Sequence, residues 1–257
     1  MFNLEAIKDN YPPHLRDKSK SILREYLQCK ILEIVYNSKI APKLSFIGGT
    51  AIRIIYGSPR FSEDIDFDNF DLTDDEFYNE ANFVLEQLKL LGYEVSLEAT
   101  KNKTIFHYKI KFPGLFYDLN LSSHRNEVIM IKFDSEKQGF DYQSEPYLLQ
   151  KFGILSNILT PPKDILFSMK LHAFFDREMG RDLIDIYHMI NITKPNYKFL
   201  EEKLGITNGA ELKEKILNRF ESFKTDKLIE RTRNFVFEEN NLKAISLFKE
   251  IVQASSL

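Results

Sequence analysis

Residues 46–68, "FIGGTAIRIIYGSPRFSEDIDFD", run from an apolar pair through two glycines, a short apolar segment and a turn into an acidic cluster. In an extended strand side chains alternate between faces, so Asp64, Asp66 and Asp68 share one side while Ile65 and Phe67 take the other. A carboxylate held away from water is costly unless a cation compensates it. Such a cluster asks for a metal ion, a basic partner or solvent, and D-x-D alone does not separate a metal site from an acidic, solvated strand end. Gly48-Gly49 narrows the choice. Glycines where a strand hands over to a helix let backbone N–H groups approach a phosphate at the helix N-terminus. Magnesium takes oxygen ligands, commonly one or two carboxylates plus substrate phosphates. The two-ion form of phosphoryl transfer needs ions about 3.5–4 Å apart and a third carboxylate from a neighbouring strand.

Outward from this stretch, "KSKSILREYLQCKILEIVYN" has helical spacing from Lys18 to about Asn37, and "KLSFIGG" reads as a strand entering the glycine turn. Thr50 is the expected N-cap of a short helix, "AIRIIY". "TDDEFYNEANFVLEQLKLLG" is the clearest helix: Thr73 and Glu76 form a capping box, acids fill the first turn and Gly92 ends it. Four strand-like runs follow, "YEVSLEAT", "KTIFHYKIKF", "LFYDLNLSS" and "NEVIMIKFDSE". Residues 135–160 read as turns and short mixed segments. From Thr160, the expected N-cap with Pro161 at the first helical position, the pattern is helical. The layout predicts an α/β half, 1–150, with a mixed sheet and flanking helices, followed by an α-helical half, 151–257.

At 257 residues, 43% hydrophobic and 28% charged, the composition is that of a globular protein. A net charge of −3 excludes a chain coated with basic residues but permits a local basic groove. Cys29 is the only cysteine, which excludes an intrachain disulfide and a cysteine-based zinc site. The N-terminal stretch is polar, and no apolar run approaches the roughly 20 residues of a membrane span. A cytoplasmic protein with no membrane partner is expected.

"GGTAIR" followed by "RFSEDIDF" resembles the nucleotidyltransferase superfamily, in particular the AbiEii/AbiGii-type toxins, and the likeness continues through "FPGLFYDLNLSSH", "MIKFD" and "KLHAFFDREMGRDLIDIY". Thr50 stands where the general superfamily has a serine. The resemblance implies a nucleotidyltransferase-like α/β half. It also implies metal ligation by Asp64, Asp66 and a third acid, for which Asp118 and Asp134 are the candidates. The family's second motif, a lysine, an apolar residue and an acid, matches Lys132-Phe133-Asp134 and not Tyr117-Asp118. Mg2+ (or Mn2+) and a nucleoside triphosphate (NTP) are the implied cofactor and substrate.

In the helical half Lys170 and Arg177 fall seven residues apart and share a helix face, from which both can reach triphosphate oxygens. The resemblance places a nucleotide-binding lysine at Lys170 and a functional aspartate at Asp182, with Asp185 one turn later as either a functional or an ion-pair residue. Loss of Lys170, as a phosphate clamp, is expected to leave thermal stability almost unchanged. Gly48, Gly49, Thr50, Arg53, Lys132, Lys170 and Arg177 are the expected nucleotide contacts. His107 and His172 are read as packing or surface residues. The family further implies transfer to an RNA 3′ end, tRNA especially, and a cognate antitoxin. An enzyme modifying a protein or small molecule, or a nucleotide-binding module without turnover, stays open on the residues themselves.

Overall fold

Alternating burial along Val128–Glu136, with Ile129, Ile131 and Phe133 inward, sets the central strand of the sheet. The computed structural model describes residues 3–101 and 106–257, so positions 103–105 of the expected "KTIFHYKIKF" strand lie outside the described residues. The strands are β1 (Leu44–Ile47), β2 (Ile65–Asn69), β3 (Ser96–Lys101), β4 (Phe106–Pro113), β5 (Val128–Glu136), β6 (Glu145–Lys151) and β7 (Ile154–Thr160). The helices are α1 (Leu4–Lys8), α2 (Ser19–Tyr36), α3 (Gly48–Tyr56), α4 (Asp74–Leu90), α5 (Leu115–Asp118), α6 (Lys163–Asp176), α7 (Gly180–Ile190), α8 (Tyr197–Leu204), α9 (Gly209–Phe220), α10 (Thr225–Thr232), α11 (Lys243–Ser246) and α12 (Phe248–Ala254).

Five strands form one sheet in the order β1-β2-β5-β4-β3, and β6 pairs with β7. The sheet is mixed: β2 and β5 run parallel, and the other neighbours are antiparallel. Its inner face packs on α2 and α4. Phe77 of α4 stacks on Phe133 at 4.9 Å, and Phe67 meets Phe133 edge-on at 5.5 Å. Each such buried phenylalanine contributes about 1.5–3 kcal/mol of hydrophobic stabilisation. The capping box expected at Thr73 and Glu76 is present.

The chain divides into two compact units, one of residues 1–50, 63–139 and 144–160, the other of 51–62, 140–143 and 161–257. The first holds both sheets with α1, α2, α4 and α5. The second is helical, with Phe174 of α6 packed against Phe223 and Phe248.

Four local expectations are corrected. "LFYDLNLSS" is not a strand: Gly114 (φ 70°) and Asn120 (φ 55°) both turn the backbone, and the residues between them form α5 and its closing turn. Residues 145–160 are not irregular but a β-hairpin. Its two-residue turn puts Phe152 and Gly153 at positive φ (56° and 76°). That geometry normally selects Asn or Gly first, so the phenylalanine hides it in sequence. Packing of the Phe152 ring edge-on to Tyr26 at 5.8 Å anchors the turn. Thr160 does not cap α6; it ends β7, donates its hydroxyl to the Phe46 carbonyl at 3.0 Å, and leaves Pro162 at the N-cap. Thr50 does not cap α3, which already starts at Gly48.

Candidate active site

The acids of the α/β unit meet because β2 and β5 are parallel neighbours. Asp66 pairs in register with Asp134, so the two carboxylates project from adjacent strands on the same side of the sheet. Asp64 lies just before β2 and is partly exposed. Lys132, on the same face of β5 as Asp134, places its Nζ 3.5 Å from Asp64 Oδ2. His107 of β4 pairs with Asp134 and sets its Nδ1 3.0 Å from Asp134 Oδ1, without the alignment of a hydrogen bond. Burial pushes the Asp134 carboxyl above its ordinary range, against the opposing pull of His107. Asp118 is exposed on α5 and lies on no strand. Asp68 is buried and accepts a hydrogen bond from the Gln138 backbone at 2.8 Å.

Gly48 adjoins this acidic face. Its φ of 80° is one that L side chains rarely adopt, and a Cβ there would collide with the Asp66 carboxylate. The glycine therefore does two things: it turns the chain from β1 into α3, and it leaves room for the acid. At the start of α3, Gly48, Gly49 and Thr50 belong to the first turn, whose N–H groups have no partner within the helix. The Thr50 hydroxyl is fully buried and donates to the Asp64 carbonyl.

In the helical unit Lys170 is 5% exposed and forms ion pairs with Asp182 Oδ1 at 3.0 Å and Asp185 Oδ2 at 3.1 Å. Arg177 does not continue the helical face of Lys170, because α6 ends at Asp176 and Arg177 is extended. It turns back instead to grip Asp182 with two hydrogen bonds, of 2.8 and 3.1 Å. Asp185 is fully buried and takes a forked contact from Arg60 plus the Ser58 hydroxyl at 3.1 Å. Burial alone would raise both aspartates. Lys170 and Arg177 hold Asp182 well below the carboxylate range, and Arg60 and Lys170 lower the Asp185 carboxyl. Arg53 donates to the Ser58 carbonyl at 3.1 Å and lies over the Phe237 ring at 4.4 Å.

The profile for the nucleotidyl transferase AbiEii toxin family, of type IV toxin–antitoxin systems, matches residues 30–252. The chain belongs to the AbiEii family. It is therefore a nucleotidyltransferase of the type IV toxin class. Among solved structures it is similar to MenT4, a nucleotidyltransferase toxin from Mycobacterium tuberculosis. That match has a TM-score of 0.61 at 14% identity and covers 99% of this chain and 90% of the other. JHP933 from Helicobacter pylori matches with a TM-score of 0.55 at 17% identity, over 91% of each chain. At these identities the likeness is one of fold. No curated sequence matches the chain.

AbiEii-type chemistry generally uses an NTP and a divalent metal. Among the described residues no three His, Cys, Asp or Glu side chains already form a metal-binding group. The donors on the acidic face nevertheless fit a hard cation, which needs only one or two carboxylates plus substrate phosphates. Asp66 and Asp134 are paired across strands, and Asp134 Oδ1 is buried with no hydrogen-bond partner among the described residues. No helix among the described residues is long and apolar enough to cross a membrane. Two residues near this acidic face escaped the sequence reading. Gln28 of α2 is fully buried and donates to the Asp64 carbonyl at 3.4 Å, and Arg24, one turn earlier, reaches Glu63 Oε1 at 3.2 Å. Polar residues spaced i, i+4 within "ILREYLQCKILEIV" were the available signal.

Proposed function

We propose that the chain transfers a nucleoside monophosphate from an NTP to the 3′ end of an RNA, tRNA in particular, as the toxin partner of a cognate antitoxin. The observation that carries the nucleotidyl-transfer part of this reading is the in-register pairing of Asp66 with Asp134 beside a glycine turn whose missing Cβ makes room for Asp66, while the RNA acceptor and antitoxin follow the family. Asp64, Asp66 and Asp134 are the proposed ligands of Mg2+ (or Mn2+). The ion, when bound, would neutralise charge on departing pyrophosphate and lower the pKa of the attacking hydroxyl.

The chain's own residues then have distinct tasks. First-turn N–H groups of Gly48, Gly49 and Thr50 receive triphosphate oxygens. Lys132 offsets negative charge beside Asp64. The acceptor hydroxyl oxygen bonds to the α-phosphorus as the α–β phosphoanhydride breaks, and its proton passes to Asp134 Oδ1, an acceptor with no hydrogen-bond partner among the described residues. Lys170 and Asp182 are assigned as the second functional group on the family resemblance, with Arg53. Arg177, the solvent-facing member at 55% exposure, is the one able to exchange its aspartate for a phosphate oxygen.

The test is incubation of the purified chain with each radiolabelled NTP, Mg2+ or Mn2+, and three acceptor classes: tRNA, protein and small molecules. Label at the tRNA 3′ end supports the reading. Label only on protein or a small molecule refutes the RNA acceptor, and nucleotide binding with no label anywhere refutes turnover.

A further inference from the structure

Asp64 lies outside the strand ladders that hold its neighbours. The β1–β2 register ends at Ile47 with Asp66, and the β2–β5 register begins at Ile65 with Phe133. A residue at such a strand end frays unless something else fixes its backbone. Here two side chains converge on its carbonyl oxygen. The Thr50 hydroxyl donates from the first turn of α3, and Gln28 Nε2 donates from α2 at 3.4 Å. Both donors are fully buried. Arg24, on the same face of α2 as Gln28, holds the preceding residue through Glu63.

We infer that Thr50 and Gln28 are positioning residues that fix Asp64 relative to the glycine turn, so that its carboxylate meets a divalent ion in a set geometry. Thr50 couples the two halves of the site. It lies in the helical turn that starts at Gly48, and it grips the residue that leads into β2, so the phosphate-facing turn and the first acid are held as one piece. The Thr50 side chain thus acts through Asp64, while only its backbone faces nucleotide. This inference rests on the nucleotidyltransferase reading of the same site.

The experiment compares wild type with Thr50→Val and Gln28→Met, which keep volume and remove the donor, and with Thr50→Ser, which restores it. Mn2+ is titrated into nucleotide-free protein and followed by electron paramagnetic resonance, and kcat and KM for the NTP are measured separately. Loss of a group that orients a ligand weakens metal affinity or activity about 10–100-fold. The Val and Met variants should therefore bind Mn2+ about tenfold more weakly and lose kcat by a similar factor. KM for NTP should stay within about threefold, as expected for an interaction realised in the transition state, and Thr50→Ser should return both values to wild type.

Folded Val and Met variants that bind Mn2+ and turn over like wild type would overturn the inference and leave both residues as core packing. If Thr50→Val does not fold, Gln28→Met carries the same decision alone. Absence of Mn2+ binding in wild type would defeat the metal reading of the site, and the inference with it.

Discussion

Lys170→Met tests whether the ammonium is held as a buried charge or merely faces a ligand. Methionine keeps much of the lysine stem's volume, so the loss is mainly electrostatic. In the wild type Nζ lies 3.0 and 3.1 Å from two aspartates that are 1% and 0% exposed. Removing one partner of a buried ion pair costs about 3–5 kcal/mol because the opposite charge stays desolvated. Arg177 still faces Asp182 and Arg60 still faces Asp185, which argues for the lower end, about 3 kcal/mol. For a chain of this size each kcal/mol moves Tm by about 2–4 °C, so a fall of about 6–12 °C is expected in the absence of nucleotide. This reverses the expectation from sequence, in which a clamp lysine could be removed with little effect on stability.

Acid unfolding gives an independent reading of Lys170→Met. Asp182 and Asp185 are held below their ordinary values, so the stability they contribute is fully present above about pH 4 and is lost as pH falls through their folded values. Without Lys170 those values rise, and acid unfolding should begin at higher pH. Differential scanning calorimetry at pH 7 and a circular-dichroism pH titration measure the two effects. A Tm within about 1 °C of wild type, with an unchanged acid midpoint, would refute the buried-charge argument.

Asp66→Asn and Asp134→Asn should each abolish nucleotide transfer, whereas Asp118→Asn, exposed on α5, should leave it near wild type; the opposite ranking in a labelling assay would move the site. Gly48→Ala should cost about 1–2 kcal/mol of backbone strain and displace Asp66, so transfer should fall far more than chemical-denaturation stability does. Glu80, buried on α4, has its carboxyl pushed up to about 7 by burial. Its folded state keeps a proton that the unfolded chain releases near pH 4.5, so this group's contribution to stability falls as pH rises from about 4.5 to 7. Glu80→Gln should remove that decline and stabilise the protein by about 1–2 kcal/mol at pH 8 but not at pH 4, measured by urea unfolding at both.

Local chemistry was legible wherever neighbouring residues decide it. Helix α4 needs only its capping box and apolar spacing, and the Gly48-Gly49 turn followed by alternating acids reads directly as strand, turn, helix and acidic strand. Those motifs, continued in order by "MIKFD" and "KLHAFFDREMGRDLIDIY", also carried the family resemblance. Sequence likewise offered two third acids, Asp118 and Asp134, and the match of Lys132-Phe133-Asp134 to the family's second motif favoured Asp134.

The tertiary structure adds a physical ground for that preference. Strand register sets Asp134 opposite Asp66 across a separation of 68 positions, and the positive φ values at Gly114 and Asn120 remove Asp118 from any strand. The state of Lys170 was equally invisible: helical spacing showed which face it shares, but only the packing of α7 brings Asp182 and Asp185 against it. Gln28 and Thr50 make the same point: Gln28 looked like an ordinary polar residue and Thr50 like a helix cap and nucleotide contact, and only folding brings both side chains to one carbonyl oxygen. Backbone preferences act over a few residues and are written in local composition, whereas register and desolvation arise from contacts between distant segments, which no single stretch of sequence contains.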